Sequence, residues 1–212
     1  MRVKWYGHSC FLFTSDDGIR VLTDPCDPDT GYVLKDIEAD VVTVSHRHHD
    51  HDYVKAVNSR ADIIEKEGKT EALGIKFEGI PSYHDDCKGK KRGNNLIFKF
   101  VIDDITIVHA GDLGAFDDDL VSAIGYADVL LVPIGGIYTI DAEQARNFAN
   151  MIKPRIVIPM HYKTPALTFE LGELNAFINR AADCSIHRLG ATEAVLNKEY
   201  LGNNRIIIFS YK

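Results

Sequence analysis

Cysteine is scarce in this chain of 212 residues: Cys10, Cys26, Cys87 and Cys184 stand apart and make no Cys-x-x-Cys pair. That scatter argues against a disulfide framework and for free thiols in a reducing cytoplasm. No apolar run approaches the roughly 20 residues that span a bilayer, so a membrane protein is not expected. No basic block dominates the formal charge of −7, which disfavours bulk nucleic-acid binding through phosphate neutralisation. The segment Met1 to Gly7 alternates like a first strand and lacks the apolar centre of a secretory signal. Neither an internal repeat nor a linker divides the chain, and its length suits one large domain over residues 1–212.

What is present begins as short strands joined by tight turns: Arg2 to Trp5, Cys10 to Thr14 and Ile19 to Thr23, with Asp16-Asp17-Gly18 as the hairpin signal between the last two. Further strands are expected at Val41 to Val44, near Ile63, and at Ile75 to Ile80, Leu96 to Ile102 and Ile105 to Val108, with a short helix around Asp52 to Ser59 between the first two. The second part alternates strands and helices as an α/β layer should. Val129 to Val132, Arg155 to Ile158 and Arg205 to Tyr211 read as strands. Asp141 with Gln144 reads as a helix start, and Ala145, Phe148, Ala149 and Ile152 form an apolar stripe. Leu174, Phe177, Ile178 and Ala181 repeat that stripe.

The densest chemistry lies in Thr43 to His51, where His46, His48, Asp50 and His51 fall within six residues after an apolar run. In an extended segment residues two apart share a face, so His46 and His48 can grip one ion from one side. A helix starting near Asp50 would swing that carboxylate and His51 toward a second position and leave His49 pointing elsewhere. Histidine-rich surface runs and tags exist, but this run is internal, follows a buried strand and alternates with Asp. Several other strands also end in loops bearing possible ligands: His84 after Ser82-Tyr83, His109 and Asp112 around Ala110-Gly111, and His161 after Pro159-Met160. Ligands in α/β proteins collect at the carboxyl ends of strands.

The pattern His46-x-His48-x-Asp50-His51 resembles the signature of the metallo-β-lactamase superfamily. The resemblance covers nearly the whole chain and implies a four-layer αβ/βα sandwich, α/β (α+β) in class, with one or two metals. Carried over by residue, it implies that His46, His48 and His84 hold a first ion, that Asp50, His51 and His161 hold a second, and that Asp112 bridges them. Such donors suit zinc first, with manganese or iron as alternatives. Water on such an ion titrates near neutral pH, which supplies a hydroxide nucleophile for hydrolysis of a lactone, carboxylic ester or phosphodiester. Asp50 would orient the water. The leaving-group acid is open, with His109 and Tyr138 as candidates. His109 also rivals His84 for the first ion and is otherwise expected beside the ligands or in proton transfer.

Departures from better-known relatives narrow the field. Asp112 replaces the Cys of many true β-lactamases, and about fifty residues after His161 leave no room for the helical thiolester-binding domain of glyoxalase II. What remains resembles a compact branch near the ascorbate-phosphate lactonase-like proteins, to which Gly7-His8-Ser9-Cys10-Phe11 is also similar. His8 belongs either at the cleft rim or in a hydrogen-bonded turn. Asp24, before Pro25, is either a ligand-orienting carboxylate or an ordinary turn residue. Cys87 fits a plain loop thiol better than a ligand, and His187 is assigned a structural place. Cys87 to Gly93 is a basic loop that could clamp an anionic small-molecule substrate or form a solvated hairpin tip. Tyr138 and Thr139 could line the pocket. Two other classes are weighed: an iron-dependent redox protein on the same scaffold, for which His48 stands in place of the Glu of flavin-linked di-iron members, and a metal-stabilised module without catalysis.

Overall fold

Period-two alternation of apolar residues organises the first part of the chain into strands with two differently used faces. In the computed structural model, which describes residues 1–57 and 60–211, β1 (Arg2–Gly7), β2 (Cys10–Thr14) and β3 (Arg20–Thr23) pair antiparallel. β4 (Val41–Thr43) and β5 (Asp62–Ile64) continue this sheet in parallel from the β3 edge. Val3, Trp5, Phe11, Phe13, Val21 and Val41 enter the main core, whereas Leu22 and Val42 point to the opposite face.

The second sheet starts as an antiparallel meander of β6 (Gly68–Ala72), β7 (Ile75–Tyr83), β8 (Asn94–Ile102) and β9 (Ile105–His109). β10 (Val129–Pro133) and β11 (Ile156–Met160) extend it in parallel, and all ten of their residues are buried. Such unbroken burial belongs to parallel strands covered on both faces. One cover is the first sheet; the other is helical, with α1 (Asp118–Ile124) on β7 and α2 (Ala142–Ile152) on β10, while α3 (Leu174–Ile178) packs on α2. Asp141 and Gln144 close a reciprocal capping box at the start of α2, and Ala145, Phe148, Ala149 and Ile152 are buried. β12 (Ser185–Arg188), β13 (Glu193–Val195) and β14 (Arg205–Ile208) complete the chain. β14 and β12 extend the second sheet beyond β11, and β13 returns to the edge of the first sheet beside β1.

Some elements differ from the sequence expectation. In place of a helix over Asp52 to Ser59 there is a single 3-10 turn, Val54–Ala56, with residues 58 and 59 outside the described part. Val57 leaves the helical region at φ −92° and ψ 120° to bridge Ile37, a pairing that β-branched residues favour. The outer face of the first sheet is therefore covered by loops and 3-10 turns, which bring Tyr32, Leu34, Ile37, Leu167 and Leu171 onto Leu22 and Val42. The last strand stops at Ile208, short of Tyr211. No helix among the described residues is long and apolar enough to cross a membrane.

β7, β9, β10 and β11 run in the same direction, so the loops after them gather at one rim of the second sheet. The loop after β4 meets them there from the first sheet.

Candidate metal centre

The chain does not leave β4 extended, and no helix begins at Asp50. Residues 45–51 form successive bends, closed where the His51 and Asp52 N–H groups donate to the His48 carbonyl at 2.9 and 3.0 Å. Reversal is what gathers the side chains, because an extended segment would send neighbours to opposite faces. The His46 and His48 rings still meet, with centroids 4.5 Å apart. His84, just past β7, comes to 4.8 Å from His46 and 5.0 Å from His48. His51 lies 4.4 Å from His46 on one side and 5.8 Å from His161, which follows β11, on the other, and His49 stays exposed.

Asp112 lies between the two sides. Its carboxylate is 3.0 Å from His84 Nε2, 3.2 Å from His161 Nε2, 3.1 Å from His51 Nε2 and 3.8 Å from His46 Nε2. The loop that presents it is tightly held. Asn95 accepts the Asp112 N–H at 2.9 Å and donates to the Ala110 carbonyl at 3.0 Å and to Ser82 Oγ at 2.8 Å. Gly111, at φ +54°, leaves no room for a side chain, since a Cβ there would stand 2.3 Å from Asn95 Oδ1.

The hydrogen bonds around the cluster fix which ring nitrogens face inward. Ser45 Oγ lies 2.6 Å from Asp24 Oδ2, a carboxylate oxygen that only accepts, so the hydroxyl proton points there. Ser45 Oγ is left to accept from His46 Nδ1–H at 2.9 Å, and His51 Nδ1–H donates to the same Asp24 oxygen at 2.9 Å. Asp24, fully buried, thus orients both rings, as outer-shell carboxylates do for ligating imidazoles. Nε2 of His46, His51 and His161, together with Asp112 Oδ1, is buried without a hydrogen-bond partner. Lone pairs turned on a carboxylate at this range repel unless positive charge sits among them.

The titration behaviour agrees. Burial alone would lower His51, yet Asp112, Asp50 and Asp24 outweigh it and hold the ring well above its ordinary value. Burial brings His46 down to about 3 and also lowers His48. Asp112 is held far below the carboxylate range, because His161 and His51 outweigh the burial that would raise it. Apart from His51, the shifts resolved for these groups favour neutral imidazole and ionised carboxylate, the donor set of zinc, manganese and iron sites. Among the described residues, three groups have donor atoms close enough to hold an ion: His46, His48 and His84; His46, His51 and Asp112; and His8, Asp50, His51 and His161.

All seven histidine and aspartate positions singled out as ligands meet in these groups. His109 does not. It is fully buried, its Nε2 donates to the Ser9 carbonyl at 2.9 Å, and its Nδ1 accepts the Gly111 N–H at 3.3 Å. Both of its ring nitrogens are engaged by backbone, which places it beside the Asp112 loop and outside the three groups. Cys87 stands outside the groups, and His187 lies on exposed β12 with Nε2 on Ser185 Oγ. His8 is the residue the sequence reading underrated: it is fully buried, 3.1 Å from Asp50 Oδ2 and with its ring 4.2 Å from that of His161 at a tilt of 42°. Asn95, which reads in the sequence only as part of the turn before β8, was given no part in the site. The basic loop folds on Asp85, whose carboxylate accepts the N–H groups of Cys87, Gly89, Lys91 and Arg92. From it Arg92 donates to the Ile137 carbonyl at 3.1 Å and lies over the Tyr138 ring.

Comparison with known proteins bears on this geometry. Residues 2–161 match a family described as "Beta-lactamase superfamily domain". A UPF0173 metal-dependent hydrolase of Nanoarchaeum equitans is 34% identical over 77% of this chain and 85% of its own length. Another from Methanoregula boonei is 31% identical over 92% of this chain and 97% of its own. A Thermotoga maritima crystal structure, described as a candidate Zn-dependent hydrolase of the metallo-β-lactamase superfamily, superposes with a TM-score of 0.81 at 32% identity, covering 98% of each chain.

Proposed function

The chain belongs to the β-lactamase superfamily and within it to the UPF0173 metal-dependent hydrolases, and from that premise we propose a two-ion hydrolase of one domain, acting in the cytoplasm on a small lactone, carboxylic ester or phosphodiester. The observation that carries this reading is the Asp112 carboxylate set among inward-facing, unpartnered imidazole nitrogens. His46, His48 and His84 would hold one ion, Asp50, His51 and His161 the other, and Asp112 would reach both. Zinc is the first choice for this donor set. Two such ions supply, when bound, Lewis acidity and hydroxide at neutral pH.

The chain's own residues do the rest. Asp50 is held ionised, its own burial outweighed by His51 and His8, and is placed to orient a water by accepting a hydrogen bond from it. Asp24 and Ser45 keep His46 and His51 in the tautomers that face inward. His109 braces the backbone on either side of the centre instead of moving a proton. Tyr138 is the remaining candidate for the leaving-group acid, with its ring set between Phe169 and Arg92. Arg92 and the exposed Lys88 and Lys90 favour an anionic substrate.

Elemental analysis of untagged protein tests this, beside Asp112→Ala and His48→Ala and a screen of lactones, esters and bis-nitrophenyl phosphate. We expect about two ions per chain in the parent, fewer in both variants, and a rate on one substrate class that falls by about 100-fold or more. Variants that keep both ions and the full rate would overturn the assignment. Tightly held iron with oxygen consumption would favour the redox alternative instead.

A further inference from the structure

His8 sits in the two-residue connection between β1 and β2 and is not one of the ligands assigned above. Its backbone is pinned from several directions. The chain reaches φ +50° at His8 after Gly7 at φ +109°, where a Cβ would stand 2.1 Å from the Tyr32 ring. The His8 carbonyl accepts from Trp5 Nε1 at 3.1 Å and from the His161 N–H at 3.4 Å. Its ring is wholly buried against His161, His51 and Phe169, with centroids 4.2, 5.2 and 5.6 Å away.

One polar contact organises this ring. Nε2 lies 3.1 Å from Asp50 Oδ2, and an ionised carboxylate can only accept, so Nε2 carries the proton. Nδ1 is then a bare acceptor, buried and without a partner. Direct ligation through Nε2 would require the opposite tautomer, which surrenders Asp50 and strands an N–H at Nδ1. Leaving a buried donor unpaired is a full desolvation cost.

We propose that His8 is a positioning residue for the second ion: its Nε2–H anchors one oxygen of Asp50, so that the carboxylate presents its remaining lone pairs toward His51 and His161. This rests on the two-ion reading above. Ligating carboxylates are commonly held by such hydrogen bonds, whose removal weakens an ion by about 10- to 100-fold.

Co2+ titration of the metal-stripped chain, followed by calorimetry and by the visible absorption of the bound ion, tests the proposal. His8→Phe fills the ring's space but cannot donate. His8→Gln places an amide N–H where Nε2–H stands, and His8→Asn tolerates the left-handed backbone but stops short of Asp50. We expect Phe and Asn to weaken the second equivalent about 10- to 100-fold with the first equivalent nearly unchanged, and Gln to recover most of that loss. Should the Phe variant fail to fold, as its melting would show, the contrast between Asn and Gln decides. Wild-type affinity in Phe or Asn would overturn the proposal, as would a Gln variant as weak as Phe. A parent chain that takes up no Co2+ would remove the two-ion reading as well, whereas a parent that binds two ions beside an indifferent Phe variant removes this inference alone.

Discussion

Asp24 makes no approach to the substrate side, yet three donors converge on it: Ser45 N–H at 2.8 Å, Ser45 Oγ at 2.6 Å and His51 Nδ1 at 2.9 Å. Its charge is favoured because those partners outweigh the burial that would otherwise raise it. Asp24→Ala strands all three donors and frees His51 to change tautomer. The expected outcome is a loss of about 3 kcal/mol in denaturant unfolding, with ion affinity down about 10- to 100-fold by calorimetric titration. Unchanged binding would show that His51 needs no such partner. Residues like Asp24 are only half legible in a sequence. Its place at a strand end is readable, but the partner it holds depends on how the chain after β4 bends. His8 is harder still, because Asp50 lies 42 positions away and only the folded sheet brings them together. Asn95 announces nothing, since in Gly93-Asn94-Asn95 it reads as an ordinary turn residue until its amide ties β7 to the loop after β9. The candidate ligands were readable because their chemistry is concentrated: four sit in six residues, and three follow strands.

At the scale of elements, the basic loop after β7 is built on a single carboxylate. Asp85 accepts four backbone N–H groups, from Cys87, Gly89, Lys91 and Arg92. These outweigh the burial that would raise it and hold it below the usual carboxylate range. A folded-state value below the unfolded one means that the loop's order is present above the ordinary carboxylate range and lost only as pH falls below it. Amide exchange should therefore show protection at those four residues down through about pH 4, and Asp85→Ala should abolish it at neutral pH. Protection that survives the substitution would assign the order to the rest of the loop. Central strands were read from their side chains, as was β5 at one edge of the first sheet, whereas the other edge strands were not. β6, β12 and β13 carry mixed, largely exposed residues such as Gly-Lys-Thr-Glu-Ala. They are strands through backbone pairing with a neighbour, which no local periodicity encodes. The stripe Leu174, Phe177, Ile178 and Ala181 was sound, although the α-helix ends at Ile178 and tighter turns deliver Ala181 to the core.

For the whole molecule, the centre and the fold are one object. The loop after β4 brings His46, His48, Asp50 and His51 from the first sheet, while His84, Asp112 and His161 come from the second. An ion that binds only the native chain stabilises it by about 4 kcal/mol at a thousandfold excess over its dissociation constant. Chelation should then lower the melting temperature by about 10 °C in a chain of this size, reversibly on adding Zn2+ back. A melting curve indifferent to chelator would mean that the sheets hold their alignment without ions. The α/β class and the rim where the ligands gather were legible from the order of strands and loops. The loop cover over the first sheet was not, because Val57 pairs with Ile37 instead of extending a helix. β13 crosses back from the end of the chain to close the first sheet. Each sheet by itself owns an incomplete set of donors, so a fragment carrying only one of them would assemble none of the three groups.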